Sequence, residues 1–122
     1  MATEETPRRG KTTIAPDVLL TIARLSALSV PGVARMSAVP GGVNRLFKRG
    51  AGDGVRIEVK DHAVMVELYL IVNRDINVRE VSQQVQTEVT RAIQDMVGMD
   101  VLAVNVHIED IAFSEKSDPR AR

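Results

Sequence analysis

Residues 55–72 constrain the fold more tightly than any other part of the chain. In VRIEVK (55–60), Val55, Ile57 and Val59 alternate with Arg56, Glu58 and Lys60, the period of a strand with one face in a core and the other in water. AVMVELYLIV (63–72) continues the alternation, with Val64, Val66, Leu68, Leu70 and Val72 on one face. Its other face, Met65, Glu67, Tyr69 and Ile71, is apolar too apart from Glu67. A strand of this kind belongs at the centre of its sheet or is partly covered on both sides. The two apolar faces must turn the same way, so paired positions must sum to an odd number. A two-residue turn at Asp61-His62 satisfies that rule and sets Arg56 opposite Glu67. A four-residue loop would oppose Glu58 to Glu67, a like-charge pair, and Asp and His tolerate positive φ, so the short turn is favoured.

Two helices flank this hairpin. The first is expected from Pro16, with Asp17 complementing the helix dipole, to Pro31 and Gly32, which end it. Val18, Ile22, Leu25 and Ser29 fall on one stripe with Leu19, Ala23 and Ser26 beside it, and only Thr21 and Arg24 clearly break the apolar surface. So apolar a helix is expected to touch a second layer or a partner subunit. The second helix opens on a capping box, Asn77 with Glu80, and runs to a C-terminal glycine, Gly98. Val78, Val81, Val85, Val89, Ala92 and Met96 recur at steps of three and four, while Arg79, Gln83, Gln86, Thr87 and Arg91 face solvent. A last strand, VLAVNVHIED (101–110), puts Leu102, Val104, Val106 and Ile108 towards the core and Ala103, Asn105, His107 and Glu109 away from it. Shorter features are a strand at Val33 to Met36, a short helix using Val43, Leu46 and Phe47, and a flexible loop with Gly50, Gly52 and Gly54.

The expected architecture is an α/β (α+β) two-layer sandwich: a small, mainly three-stranded mixed sheet with two principal helices on one face and a short extra helix. A crossover through the long helix would be right-handed if its two strands run parallel. Which of the first two strands neighbours the last one stays open. Residues 11–113 are expected to form one domain, with polar tails at 1–10 and 114–122 that carry Pro7 and Pro119 and read as disordered.

Several chemistries are excluded or disfavoured. GKTT, at Gly10 to Thr13, has the letters of a phosphate-binding loop, but the first glycine of that motif would fall at Glu5 and no strand precedes it. The absence of Cys removes thiolate catalysis, Cys-ligated zinc and disulfides. Zero net charge gives no global attraction to nucleic acid or anionic lipid, and 2% aromatic residues leave little for base stacking. The polar N-terminus does not read as a signal peptide, and no uncharged apolar run reaches the roughly 18 residues of a membrane span. His62 falls in a turn and His107 in a strand, so no metal site is expected. No nucleophile, base and orienting group converge, so neither an enzyme nor a cofactor is expected. The one basic cluster, Arg45, Lys48 and Arg49 beside Phe47, is the candidate contact for an anionic ligand or nucleic acid. The open sheet face, with Met65, Tyr69, Ile71, Asn105 and His107, is the candidate interaction surface, as is the apolar first helix.

GKTTIAPDVLLTIARLSALSVPGVARM, with a G-x-T-T-I-A opening and a V-P-G-V ending, resembles the alkaline shock protein family of bacterial general-stress and envelope-stress proteins. GVRIEV, VMVELYLIV and INVREVSQQVQTEVTRAIQDMVGMDVLAVNVHIEDIAF agree in order and spacing, so the resemblance covers roughly residues 10–113. It implies a non-enzymatic, cytoplasmic protein of cell-envelope homeostasis, with a link to lipid metabolism. It also implies self-association and attachment to the membrane through a small transmembrane partner, without a span of its own. Nucleic-acid or anionic-ligand binding through the basic segment is the alternative. The segment SQQVQTEV of the long helix, with Glu88 its one charged residue, departs from the more acidic helix common in the family.

Overall fold

The central strand is hydrogen-bonded along both of its edges, and the remaining elements are placed by it. The computed structural model describes residues 13–38, 51–52 and 54–112. In chain order the elements are helix α1 (Pro16–Leu28), strands β1 (Val33–Met36), β2 (Ala51–Gly52), β3 (Val55–Lys60) and β4 (Ala63–Asn73), helix α2 (Val78–Val97) and strand β5 (Asp100–Ala112). The tails, the short helix expected around Val43 to Phe47 and the basic residues Arg45, Lys48 and Arg49 lie outside the described residues.

β3 and β4 pair antiparallel with Lys60 opposite Ala63 and Arg56 opposite Glu67, the register expected from face parity. The turn residue Asp61 has φ 60°, as a tight hairpin requires. β5 runs parallel to β4 from Ala63 against Asp100 to Asn73 against Ala112, which settles its place beside β4. On the opposite edge, β3 covers the first half of β4 and β1 covers part of the second, with Val33 opposite Val72 and Met36 opposite Leu70. β2 adds to the far side of β3. Three long strands thus carry a mixed sheet, and two short ones extend it.

Where β3 and β1 meet end to end, the Tyr69 N–H donates to the Gly54 carbonyl at 2.9 Å and the Ser37 N–H donates to the Tyr69 carbonyl at 2.8 Å. Gly54 has φ 81°, and a Cβ there would collide with the Ser37 carbonyl oxygen. Gly52 lies in β2. This end of the glycine-rich stretch is therefore strand and a tightly fitted junction, where the sequence suggested a flexible loop.

The core lies between the helices and one sheet face. Val64, Val66, Leu68, Leu70 and Val72 are fully buried against Val55, Leu19, Ala23, Val85, Val89 and Ile93. Each such side chain contributes roughly 1.5–3 kcal/mol relative to an exposed one. α2 begins as expected: the Asn77 side chain accepts from the Glu80 N–H at 3.1 Å, and Gly98 closes the helix at φ 78°. Its buried stripe is Val81, Val85, Val89 and Ile93, while Met96, expected inward, is 69% exposed because Val97, one turn after Ile93, takes the core-facing position. α1 buries Leu19, Ala23 and Ala27 and leaves Val18 and Leu25 outside. The expected stripe was displaced because a nearly all-apolar helix carries little information about its inner face, and the two alanines allow close approach to α2.

β5 departs from simple alternation. The pairing slips between Val64 and Met65 and again between Leu70 and Ile71, so that Leu102 and Glu109 are the extra residues of two bulges. Leu102 is 58% exposed and Val101 packs on the core in its place. Gln86, expected in solvent, donates to the Val104 carbonyl at 3.0 Å and ties α2 to β5.

Replacing Gly54 with alanine is expected to destabilise the domain by about 2 kcal/mol or more, through the steric clash and the positive φ. Thermal unfolding measures it, and an unchanged Tm would mean that the β3–β1 junction is not a structural constraint.

Candidate functional site

A two-layer domain leaves the second face of its sheet open. On that face β4 presents Met65, Glu67, Tyr69 and Ile71, because the residues between them fill the core. The register sets Ala103, Asn105, His107 and Asp110 of β5 on one side of this column. Arg35, Arg56, Glu58 and Lys60 stand on the other. Met65, Tyr69, Ile71, Asn105 and His107, all named from the sequence, are thus brought together, with Tyr69 and His107 directly opposite each other.

Tyr69 and His107 form the centre. Their rings stack with centroids 4.6 Å apart and planes 11° from parallel. The Tyr69 hydroxyl donates to Glu67 Oε1 at 2.9 Å. His107 Nε2 lies 3.4 Å from the same oxygen, close enough for an ion pair when protonated, yet it makes no hydrogen bond and is shielded from solvent. The two observations agree if Glu67 Oε1 is directed at the hydroxyl and meets the imidazole only side-on. Tyr69 is only 7% exposed despite standing on the open face. A charged side chain in place of Tyr69 would therefore break the stack as well as alter the surface.

Burial pushes the Glu67 carboxyl up, but the Tyr69 hydroxyl, the charges of His107 and Arg56 and a bond from Asn105 outweigh it and hold Glu67 below the usual 4.5. The Tyr69 hydroxyl is raised above the usual 10.0 by burial and by the carboxylate it donates to, against the opposing pull of Arg56. Glu67 is accordingly an ionised carboxylate committed to its neighbours. The described residues contain no group of three or more His, Cys, Asp or Glu placed to hold a metal. Sequence reasoning paired Glu67 with Arg56 but missed its bond to Tyr69 and the stack, which depend on β5 lying beside β4.

The architecture and the open face define a small α+β domain with a surface built from cross-strand side-chain contacts. Residues 4–113 match the model of the alkaline shock protein family, described as having a cell envelope-related function, and the chain belongs to that family. Among curated relatives, the uncharacterized protein YqhY of Bacillus subtilis is 31% identical over 110 residues, covering 88% of this chain and 82% of the relative. The uncharacterized protein Spy1535 of Streptococcus pyogenes is 28% identical over 111 residues, covering 90% and 85%. Among solved structures, the MamM CTD in a zinc form has a TM-score of 0.49 at 13% identity, covering 77% of this chain and 84% of that one. The expectation of an alkaline-shock-type, envelope-related protein is thereby met. Among the described residues no helix is long and apolar enough to cross a membrane.

Because folding lowers the Glu67 pKa, the carboxylate stabilises the fold fully above pH 4.5 and loses that contribution as pH falls through the folded-state value. Glu67→Gln is expected to lower Tm at neutral pH, with the gap from wild type closing under acid conditions. A gap independent of pH would contradict the network.

Proposed function

We propose that this chain is a non-enzymatic interaction module of the bacterial cell envelope, which self-associates and docks on a membrane-linked partner through the open sheet face. The observation that carries this reading is the face itself. A continuous surface with Met65, Ile71 and the Tyr69–His107 stack at its centre stands opposite the helices with no layer over it among the described residues. Partly apolar, preorganised surfaces with aromatic anchors are the usual basis of protein recognition.

The sheet edge is a poorer candidate. β5 carries two bulges, its Val104 carbonyl already accepts from Gln86, and Asp100, Glu109 and Asp110 add charge along it, all of which discourage strand addition. The non-enzymatic reading rests on Glu67 and His107 being engaged with one another and with Tyr69 rather than presented to a substrate. The family's envelope-related description supports a role at the cell envelope; a cytoplasmic protein held at the membrane by a small membrane-spanning partner, acting in envelope or lipid homeostasis, is the form of that role proposed here.

Ile71 is only partly buried and stands outside the hydrogen-bonded network, so Ile71→Glu alters the face with little expected effect on folding. Affinity capture of tagged protein in mild detergent is expected to recover further copies of the chain and a small membrane protein. Ile71→Glu should recover both at least tenfold less well while melting normally. Equal recovery by the variant would remove the sheet face from the function, and salt-releasable nucleic acid in place of protein would overturn the reading.

A further inference from the structure

The open face is electrically two-sided, and its pattern matches itself in one orientation. The ladder registers align residues into rows across the sheet. One end row holds Lys60, Ala63 and Asp100, and the row next to the other end, followed on this face only by Asn73 and Ala112, holds Arg35, Ile71 and Asp110. In both, the cation stands on one side of β4 and the carboxylate on the other. Between them, Arg56 shares a row with Asn105, and Glu58 shares one with Ala103. Lys60, Asp100, Arg35 and Asp110 are all exposed. Within a row the opposite charges are two strand spacings apart, roughly 9–10 Å, too far to pair inside one protomer.

We infer that two copies of this chain pack open face to open face about a two-fold axis lying along β4. The inference rests on the self-association reading and specifies its geometry. A two-fold axis along the strand leaves each row facing the same row of the partner and exchanges its two sides. Lys60 then meets the second copy's Asp100, and Arg35 meets its Asp110. Arg56 meets Asn105, and Glu58 meets Ala103, so that neither faces a like charge.

The other face-to-face arrangement, with the axis across the strands at the Glu67 row, inverts the row order and keeps the sides. It would oppose Lys60 to Arg35 and Asp100 to Asp110, repulsion at both ends. The charge pattern therefore selects the first arrangement. Its one like-charge meeting is Glu67 with its own copy on the axis, where the Arg56 of each protomer flanks the carboxylates and Tyr69 and His107 engage them. Asp110 also accepts from the Ile111 N–H at 2.8 Å, so its carboxylate is held in place.

The area suits a reversible dimer. Three strands about 4.8 Å apart, widened only by the two residues of β2, and an 11-residue central strand rising about 3.3 Å per residue give a face of roughly 500 Å² per copy, the size of a weak, reversible interface. Met65 and Ile71 supply apolar contact beside the axis, and the end-row charges fix the orientation.

Sedimentation velocity from micromolar to millimolar concentration tests this with the full chain. Wild type is expected to dimerise reversibly. Lys60→Glu or Asp100→Lys alone turns two symmetry-related attractions into repulsions and should raise Kd about tenfold or more, whereas the two together should restore it. Arg35→Asp and Asp110→Arg should behave in the same way at the other end. All four sites are exposed, and unchanged melting confirms that the variants fold. A dimer indifferent to the single changes, or one not restored by the pair, overturns this geometry while leaving self-association standing. A dimer tightened by Lys60→Glu points to the crossed arrangement and also overturns it. A wild type that remains monomeric throughout removes both the geometry and the self-association on which it rests.

Discussion

The two-sided pairing of β4 is the constraint on which the rest of the structure depends. With β5 along one edge and β3 and β1 sharing the other, every side chain of β4 is committed to one of two faces. Five aliphatic side chains close the core under α1 and α2. The same alternation fixes Met65, Glu67, Tyr69 and Ile71 on the opposite face, so the surface and the core are set by one register. Moving that register by one residue would exchange them, and the tight Asp61–His62 turn and the Gly54 junction hold it in place.

Parallel pairing of β4 with β5 follows from the connection. Strands that run the same way need a crossover, and α2 provides it while covering the core from Val81 to Ile93. The arrangement also brings His107 against Tyr69. An exposed tyrosine on an uncovered sheet would move freely. Here the imidazole on one side and the Glu67 carboxylate at the hydroxyl hold it in place, so the face is preorganised before any partner arrives.

The hairpin was legible in the sequence because parity and the Glu58–Glu67 conflict left one register. The caps of α2 were legible because Asn77, Glu80 and Gly98 each have a local mechanism. Leu102 was misplaced because an alternating pattern does not show where an extra residue enters. The trace it leaves is a change of parity, with core-side Val101 at an odd position and Val104 at an even one. The inner face of α1 was hidden by its uniform apolarity. Of the open face, the residues could be named but not their contacts. The Tyr69–His107 stack depends on the position of β5, which no local signal in the sequence determined.

Intermolecular NOEs between carbon-13-labelled and unlabelled copies, recorded on the Met65 and Ile71 methyl groups in a mixed dimer, test the account most directly. If the open face is the contact, both methyls show NOEs to the partner, and the exposed Val18 and Leu25 of α1 show none. NOEs confined to α1 or to Leu102 at the edge would place the contact elsewhere and contradict the account.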